Sequence, residues 1–192
     1  SPISFLLGSA LKVVLPVPLR PKKIAVSPSS LILALQCMLN TFFWWGKTKF
    51  STKSERGQEE VIERIARCVQ DVVDECDLEL KQIRGIGIGA PGAVNPETGE
   101  VIFAPNLKWE DVPLKKELEK KLELPVFLEN DGNICTLGIY ETELKARPRN
   151  VIGIFVGTGI GGGLIIDGKL YSGFNRTAGE IGHMVIEVGG PK

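Results

Sequence analysis

Apolar and polar positions follow a helical period in three segments of the chain beyond residue 55. Between residues 61 and 76, apolar side chains recur at three- and four-residue intervals among charged ones, which predicts one buried face of an amphipathic helix. Leu114, Leu118 and Leu122 predict a second helix of this kind. The segment 131–145 carries a third helical pattern, which Asp131 or a neighbour would cap.

Short β-rich runs alternate with these helices. The run IRGIGIGAPGAV (83–94) predicts a buried strand that leads into a tight loop. Further strands are predicted at NPETGEVIF (95–103), LPVFLEN (124–130), NVIGIFV (150–156) and LIIDGKLYSG (164–173), the last with a hairpin turn at Asp167 and Gly168. Because strands and helices alternate along the chain, the expected fold class is α/β.

Residues 1–50 have a different composition, with six Lys or Arg and no acidic residue. Their apolar stretch from Leu31 to Trp45 is interrupted by polar residues and is shorter than the roughly 20 residues of a membrane-spanning helix. We therefore favour a buried helix, or sequence that is not native to the domain behind it, over a membrane anchor. Residues 1–50 are treated as a separate leader.

Charge and cysteine content limit the choice of partners and compartment. The chain has 23 basic and 23 acidic residues, so its overall charge gives no reason to expect binding to nucleic acid. Its four cysteines show no C-x-x-C spacing and no disulfide density. Reduced thiols in a cytoplasmic protein are the expectation.

The glycine-rich segment VGTGIGGGL (156–164) is the clearest candidate for a phosphate site. Gly157, Gly159 and Gly162 satisfy G-x-G-x-x-G, but a β-rich run follows them and not the helix that a dinucleotide site requires. A protein kinase would also carry the triplets H-R-D and D-F-G, and neither occurs. A glycine hairpin over nucleotide phosphates remains, with a plain structural hairpin as the alternative.

Four motifs in order resemble the ROK family of bacterial sugar kinases and regulators, and most of all its glucokinases. They are GIGIGAPGAVNPETG (85–99), LENDGN (128–133), GIFVGTGIGGGLIIDGKLYSG (153–173) and AGEIGHMVIE (178–187). The resemblance implies an actin-like, hexokinase-like ATPase fold with ribonuclease H-like lobes, present here in incomplete form. After the leader, residues 51–127 would belong to the N-terminal small lobe and residues 128–192 would begin the C-terminal large lobe.

Transfer of a γ-phosphoryl group to a sugar hydroxyl requires a base near that hydroxyl, and a carboxylate suits this role. Asp131, which follows a predicted strand, is the candidate for the catalytic base, and the resemblance assigns it the same role. The alternative is that residues 130–132 form only a turn and a helix cap. Trp109 and Asn106 are further candidates for lining the cleft.

The resemblance also implies binding roles for residues around Asp131. Glu180 and His183 are three residues apart, so a helical turn would point both at one spot. The residues expected to bind sugar are Gly92, Asn130, Glu180 and His183, and those expected to bind ATP are Gly157, Thr158, Gly159, Gly161 and Gly162. Mg²⁺ is expected to accompany the ATP.

Two departures from the family pattern bear on activity. The opening D-x-G-G-T-K motif, which would form the other half of the phosphate clamp, is absent, and the sequence ends at GGPK, where the family continues into a Cys-x-Cys-Gly cluster. In the family, His183 would join three cysteines around a structural zinc ion, so zinc is expected only in a full-length form.

The expected function is ATP-dependent phosphorylation of a hexose in carbohydrate metabolism, glucose to glucose 6-phosphate being the first candidate, by an incomplete or inactive form of the kinase. The alternatives are a sugar-sensing transcriptional regulator of the same family and a nonfunctional remnant. The expected partners are a sugar and a nucleotide, with neither nucleic acid nor membrane. Assembly into a homo-oligomer is left open.

Overall fold

The structure is a computed structural model that describes residues 12–16, 31–36, 44–50, 52, 54–144, 148–156 and 159–190. The chain divides into two compact units, Ser1–Asp131 and Gly132–Lys192. None of the helices in the described part of the chain combines the length and the apolar character that crossing a membrane requires.

The described elements are three α-helices, eleven strands and four short 3₁₀ helices. The α-helices are α1 (Gln58–Glu75), α2 (Leu114–Leu122) and α3 (Asp131–Thr142). The strands are β1 (Lys12–Pro16), β2 (Leu31–Gln36), β3 (Trp44–Phe50), β4 (Ile86–Ala90), β5 (Ala93–Asn95), β6 (Glu100–Ala104), β7 (Trp109–Val112), β8 (Val126–Asn130), β9 (Val151–Val156), β10 (Ile160–Ile166) and β11 (Lys169–Leu170). The 3₁₀ helices are Ser54–Arg56, Leu80–Gln82, Pro105–Leu107 and Ile181–His183.

The first unit is built on a sheet with the described strand order β3-β2-β1-β4-β8 and on a smaller antiparallel sheet with the order β5-β6-β7. β4 and β8 are parallel, and Ala90 is paired with Asn130 at their carboxyl ends. Because parallel strands end at the same edge of a sheet, the loop after β4 and the start of α3 lie side by side.

The amphipathic helices predicted from the sequence are confirmed. α1 buries the predicted apolar face from Val61 to Val73, and α2 buries Leu114, Leu118 and Leu122. These side chains form one hydrophobic core with Ile86 and Ile88 of β4 and with strands β5 to β8. The apolar period predicts which face of each helix is buried, because burying apolar side chains away from water is favourable.

One of the two interpretations favoured for residues 31–45, a buried helix, is wrong where the structure describes that segment. β2 covers Leu31–Gln36 and β3 begins at Trp44. β2 pairs in parallel with β1 and antiparallel with β3, and β1 continues the sheet to β4. A short apolar run does not distinguish a strand from a buried helix, and here pairing with two neighbours satisfies the backbone.

The second unit contains α3, apart from its first residue, and the sheet β11-β10-β9. The hairpin turn at Asp167 and Gly168 is confirmed, and both residues have positive φ, of 51° and 78°. No helix follows the glycines, as predicted, but β10 begins earlier than expected, at Ile160. Gly161, Gly162 and Gly163 therefore lie inside a strand that pairs with β9, and in an antiparallel pair only alternate residues exchange backbone hydrogen bonds with the partner strand.

Cys68 provides a test of the core. It is fully buried on α1, and burial first, then the charges of Asp71 and Glu75, raises the pKa of its thiol to about 12. At about pH 8.5 its thiolate fraction would be about 0.03%, so iodoacetamide should leave it unmodified, while the half-buried Cys76, whose pKa is also raised by burial and then by Glu75 and Asp77, reacts slowly. Peptide mass spectrometry would measure this, with complete labelling in denaturant as the control. Equal labelling of Cys68 and Cys76 in the native chain would contradict the packing of α1.

Candidate active site

The junction of β8 and α3 presents the proposed base. β8 ends at the buried Asn130, and the next residue, the half-buried Asp131, begins α3. The peptide dipoles of a helix favour a negative charge at this end. Asp131 therefore lies at the edge where β4 and β8 both end, as the strand and helix patterns predict.

Asn130 and Gly92 are brought together by a hydrogen bond. The Asn130 side-chain Nδ2 donates to the carbonyl oxygen of Gly92 at 3.0 Å. Gly92 has a φ of 84°, and a Cβ there would overlap the carbonyl oxygen of Phe103 on β6. The loop after β4 is thus held from both sides, so at least one donor of the Asn130 amide has a structural role.

The glycines of the β9–β10 hairpin fall into two groups. A Cβ on Gly159 or Gly161 would meet nothing within 4 Å among the described residues, and neither glycine has a left-handed φ. A Cβ on Gly162 would lie 2.6 Å from the carbonyl oxygen of Gly179 and 2.8 Å from that of Gly153. Packing therefore explains why a side chain is absent at Gly162, but the described contacts do not explain its absence at Gly159 or Gly161. Gly157 and Thr158 lie outside the described residues.

The segment AGEIGH (178–183) packs against β10 through its own glycines. Gly179 has a φ of 94° and lies against Gly162 and Gly163, and a Cβ on Gly182 would overlap the carbonyl oxygen of Ile160. The 3₁₀ helix Ile181–His183 supplies the turn expected for this segment. It carries the exposed His183 and directly follows the half-buried Glu180.

The proposed site residues thus gather in two groups, one in each unit. Gly92, Asn130 and Asp131 lie at one edge of the first unit, and the described hairpin glycines, Glu180 and His183 lie in the second. Trp109 does not fit a place in a cleft, since its side chain is 2% exposed and belongs to the hydrophobic core. Asn106 is exposed.

The sequence reasoning missed Thr136 of α3. Its side chain is buried and lies against Gly153 and Gly163, which pair directly across β9 and β10. The available signal was Gly153 inside a predicted strand, because glycine there often marks a close approach by another group, whereas Gly163 lies just before the predicted strand 164–173.

The described residues do not fit a structural zinc ion. Zinc sites of this kind need four ligands, mostly cysteine and histidine. Within the ranges that the structure describes, no group of three or more His, Cys, Asp or Glu side chains could hold a metal ion. His183 therefore has no described partners for zinc, and no step of the chemistry below passes through that metal.

Comparison with solved structures defines the class of fold. The crystal structure of a ROK family glucokinase from Streptomyces griseus, in complex with glucose and AMPPNP, superimposes with a TM-score of 0.72 at 29% identity, covering 93% of this chain and 51% of that chain. The predicted actin-like ATPase fold is confirmed.

Sequence comparison defines the family. The model of the ROK family matches residues 45–192, and the chain belongs to this family. A glucokinase of Thermotoga maritima is 38% identical over 146 residues, 76% of this chain and 44% of its own length. A xylose repressor of Caldicellulosiruptor bescii is 39% identical over 128 residues, 65% of this chain and 32% of its own length. The chain thus spans less than half the length of either relative, one a kinase and the other a repressor.

The two groups of hairpin glycines give a matched pair of variants. Gly162→Ala should lower the free energy of unfolding by about 1–3 kcal/mol, because the added methyl group overlaps two carbonyl oxygens. Gly161→Ala should leave it unchanged or raise it by up to about 1 kcal/mol, because its methyl group meets none of the described residues and alanine restricts the unfolded chain. Urea denaturation of the two variants measures the difference. Equal losses would show that the whole glycine run is required by packing.

A second prediction concerns His183. Because four-coordinate zinc cannot be completed by the described side chains, zinc in the purified chain should stay well below one equivalent. Elemental analysis before and after His183→Ala measures it, and the variant should change nothing. A stoichiometric zinc content that the substitution removes would contradict the prediction.

Proposed function

We propose that the protein to which these residues belong transfers the γ-phosphoryl group of MgATP to a hexose, with glucose as the first candidate. The observation that carries the proposal is the pair Gly159 and Gly161, where an added Cβ would contact none of the described residues. Bare backbone on a hairpin suits phosphate groups, which need close approach to peptide N–H groups. The glucokinase relatives, one of them solved with glucose and AMPPNP, support the same assignment.

Asp131 is the proposed general base. As the sugar hydroxyl oxygen forms its bond to the γ-phosphorus atom, the carboxylate accepts the hydroxyl proton, and the bond to the bridging oxygen breaks so that ADP leaves with its electron pair. A base of this kind typically contributes roughly 10²- to 10⁴-fold. Mg²⁺ would supply neutralisation of the phosphate charge. The position of Asp131 directly after β8 supports the role, because the pairing of β8 with β4 fixes the backbone at that strand end.

Asn130, Glu180 and His183 are the proposed ligands of the sugar hydroxyls, with Gly92 in the loop that Asn130 contacts. A carboxylate accepts hydrogen bonds from hydroxyls, while an amide and an imidazole can both donate and accept. The hydrogen bond from Asn130 to Gly92 supports the proposal, since it couples the loop to the end of β8. A site preorganised in this way loses less entropy when a sugar binds.

The proposed nucleotide hairpin combines Gly159 and Gly161 with Gly157, Thr158 and Gly162. We assign Gly162 to ATP through its backbone only, because the space at its Cβ position is filled by the AGEIGH segment. The contacts of Gly179 and Gly182 with β10 would then hold the sugar ligands Glu180 and His183 beside this hairpin.

A sugar-responsive regulator is the second candidate, because the chain is 39% identical to a xylose repressor over the matched segment. A regulator has to bind its sugar but does not need to remove a proton from it. The presence of Asp131 beside Asn130 therefore favours the kinase, and turnover separates the two candidates.

The decisive experiment replaces the matched segment of the Thermotoga maritima glucokinase with the corresponding residues of this chain. The remainder of that glucokinase then completes the hybrid protein. The hybrid should phosphorylate glucose, and the 192-residue chain alone should show little turnover. Asp131→Asn in the hybrid should lower kcat roughly 10²-fold or more while glucose affinity changes little. A coupled assay with glucose or xylose and MgATP measures these rates.

Asp74→Asn, the same change on the exposed face of α1, is the matched control and should leave kcat unaltered. Near-normal kcat in the Asp131→Asn hybrid would mean that Asp131 has no catalytic role and serves only as the first residue of α3. Sugar binding by calorimetry without turnover would favour the regulator, and neither binding nor turnover would favour a nonfunctional remnant.

A further inference from the structure

Thr136 is a buried polar residue in the second turn of α3. Its side chain is 1% exposed, and its Oγ1 donates a hydrogen bond to the carbonyl oxygen of Gly132, four residues earlier, at 2.9 Å. A hydroxyl that bonds back to its own helix fixes its rotamer and satisfies its polar atom. The hydrogen bond therefore fixes the direction in which the Thr136 side chain points.

That surface lies against two facing glycines. Gly153 of β9 pairs directly with Gly163 of β10, so both point to the same side of the hairpin. A Cβ on either glycine would overlap Thr136 Oγ1, and a Cβ on Gly163 would also lie 3.0 Å from the carbonyl oxygen of Gly132. Thr136 thus occupies the space that two side chains would otherwise fill.

The contact of Thr136 with Gly153 and Gly163 joins α3 to the β9–β10 hairpin, and the proposed function uses residues of both elements. The hairpin carries Gly159 and Gly161, and α3 begins at Asp131. Glycine in a strand interior weakens the strand unless another backbone must come close, and here the start of α3 comes close. A shift of the hairpin along α3 would drive Thr136 into strand backbone on one side and open a gap on the other.

We propose that Thr136 is a positioning residue that locks the β9–β10 hairpin onto α3 and so sets where the open glycines lie relative to the helix that begins at Asp131. The contact itself depends only on the structure of the second unit. Its consequence for ATP rests on the proposed function, so the two are tested separately.

The contact is tested in the 192-residue chain by a double-mutant cycle. Gly153→Ala should lower the Tm by about 5 °C or more, because its methyl group overlaps the Thr136 side chain. Thr136→Ala removes the overlapping Oγ1 and the nearby Cγ2, so adding it to Gly153→Ala should restore most of that loss. Additive losses of Tm in the double variant would overturn the contact.

The positioning role is tested by conservative replacement. Thr136→Ala should raise the hydrogen-exchange rates of the amides in Val151–Val156 and Ile160–Ile166 about tenfold; Thr136→Val, which refills the space but loses the hydrogen bond to Gly132, should raise them less, and Thr136→Ser, which keeps that hydrogen bond, should stay closest to wild type. Leu137→Ala, on the more exposed side of the same helix, is the matched control and should leave the hairpin unchanged. Equal exchange in the Ala, Ser and Val variants would overturn the proposal.

The consequence for ATP is read in the hybrid kinase. Thr136→Ala should raise the KM for ATP about tenfold and the KM for glucose by a smaller factor, because the segment that carries Glu180 and His183 packs on β10 whereas Asn130 does not. An unchanged KM for ATP would overturn the positioning role. Absence of phosphorylation in the unsubstituted hybrid would contradict the proposed function instead, while the cycle and the exchange rates would still decide the contact.

Discussion

Close approach of neighbouring elements to glycine backbone is the constraint on which the rest of the structure depends. Gly92 lies against β6, Gly162 lies against the AGEIGH segment, and Gly153 and Gly163 lie against α3. At each of these positions a single methyl group would overlap a neighbouring atom. The positions of the loops and helices that carry the proposed site residues therefore depend on the small size of glycine as much as on apolar packing.

Much of the fold could be predicted from the sequence because it follows from local periodicity. α1 and α2 bury the faces that their apolar residues define, and the start of α3 at Asp131 follows from a strand pattern that gives way to a helical one. The failures come from interactions between distant segments. Whether residues 31–36 form a strand depends on the partners β1 and β3, and whether Gly161–Gly163 are loop or strand depends on pairing with β9.

In the candidate site, too, local patterns could be predicted from the sequence, whereas contacts between distant residues could not. The sequence identifies which residues have suitable chemistry, but it does not separate the glycines that packing requires from those it leaves open. That distinction needs the contact between Gly162 and Gly179, which are 17 positions apart. Asn130 is a similar case, because its amide was predicted to bind sugar and also holds Gly92. Within one family that includes glucokinases and repressors, residues that shape a sugar site are expected in both, whereas the proposed base Asp131 would be needed only for transfer.

A crystal structure of the hybrid kinase with glucose and a non-hydrolysable ATP analogue tests the central claim most directly. The account predicts that backbone N–H groups of Gly159 and Gly161 lie about 2.9 Å from phosphate oxygens. It also predicts that the Asp131 carboxylate lies within about 3 Å of the sugar hydroxyl that faces the γ-phosphate. A nucleotide bound away from the β9–β10 hairpin, or a sugar whose reacting hydroxyl does not contact Asp131, would contradict the account.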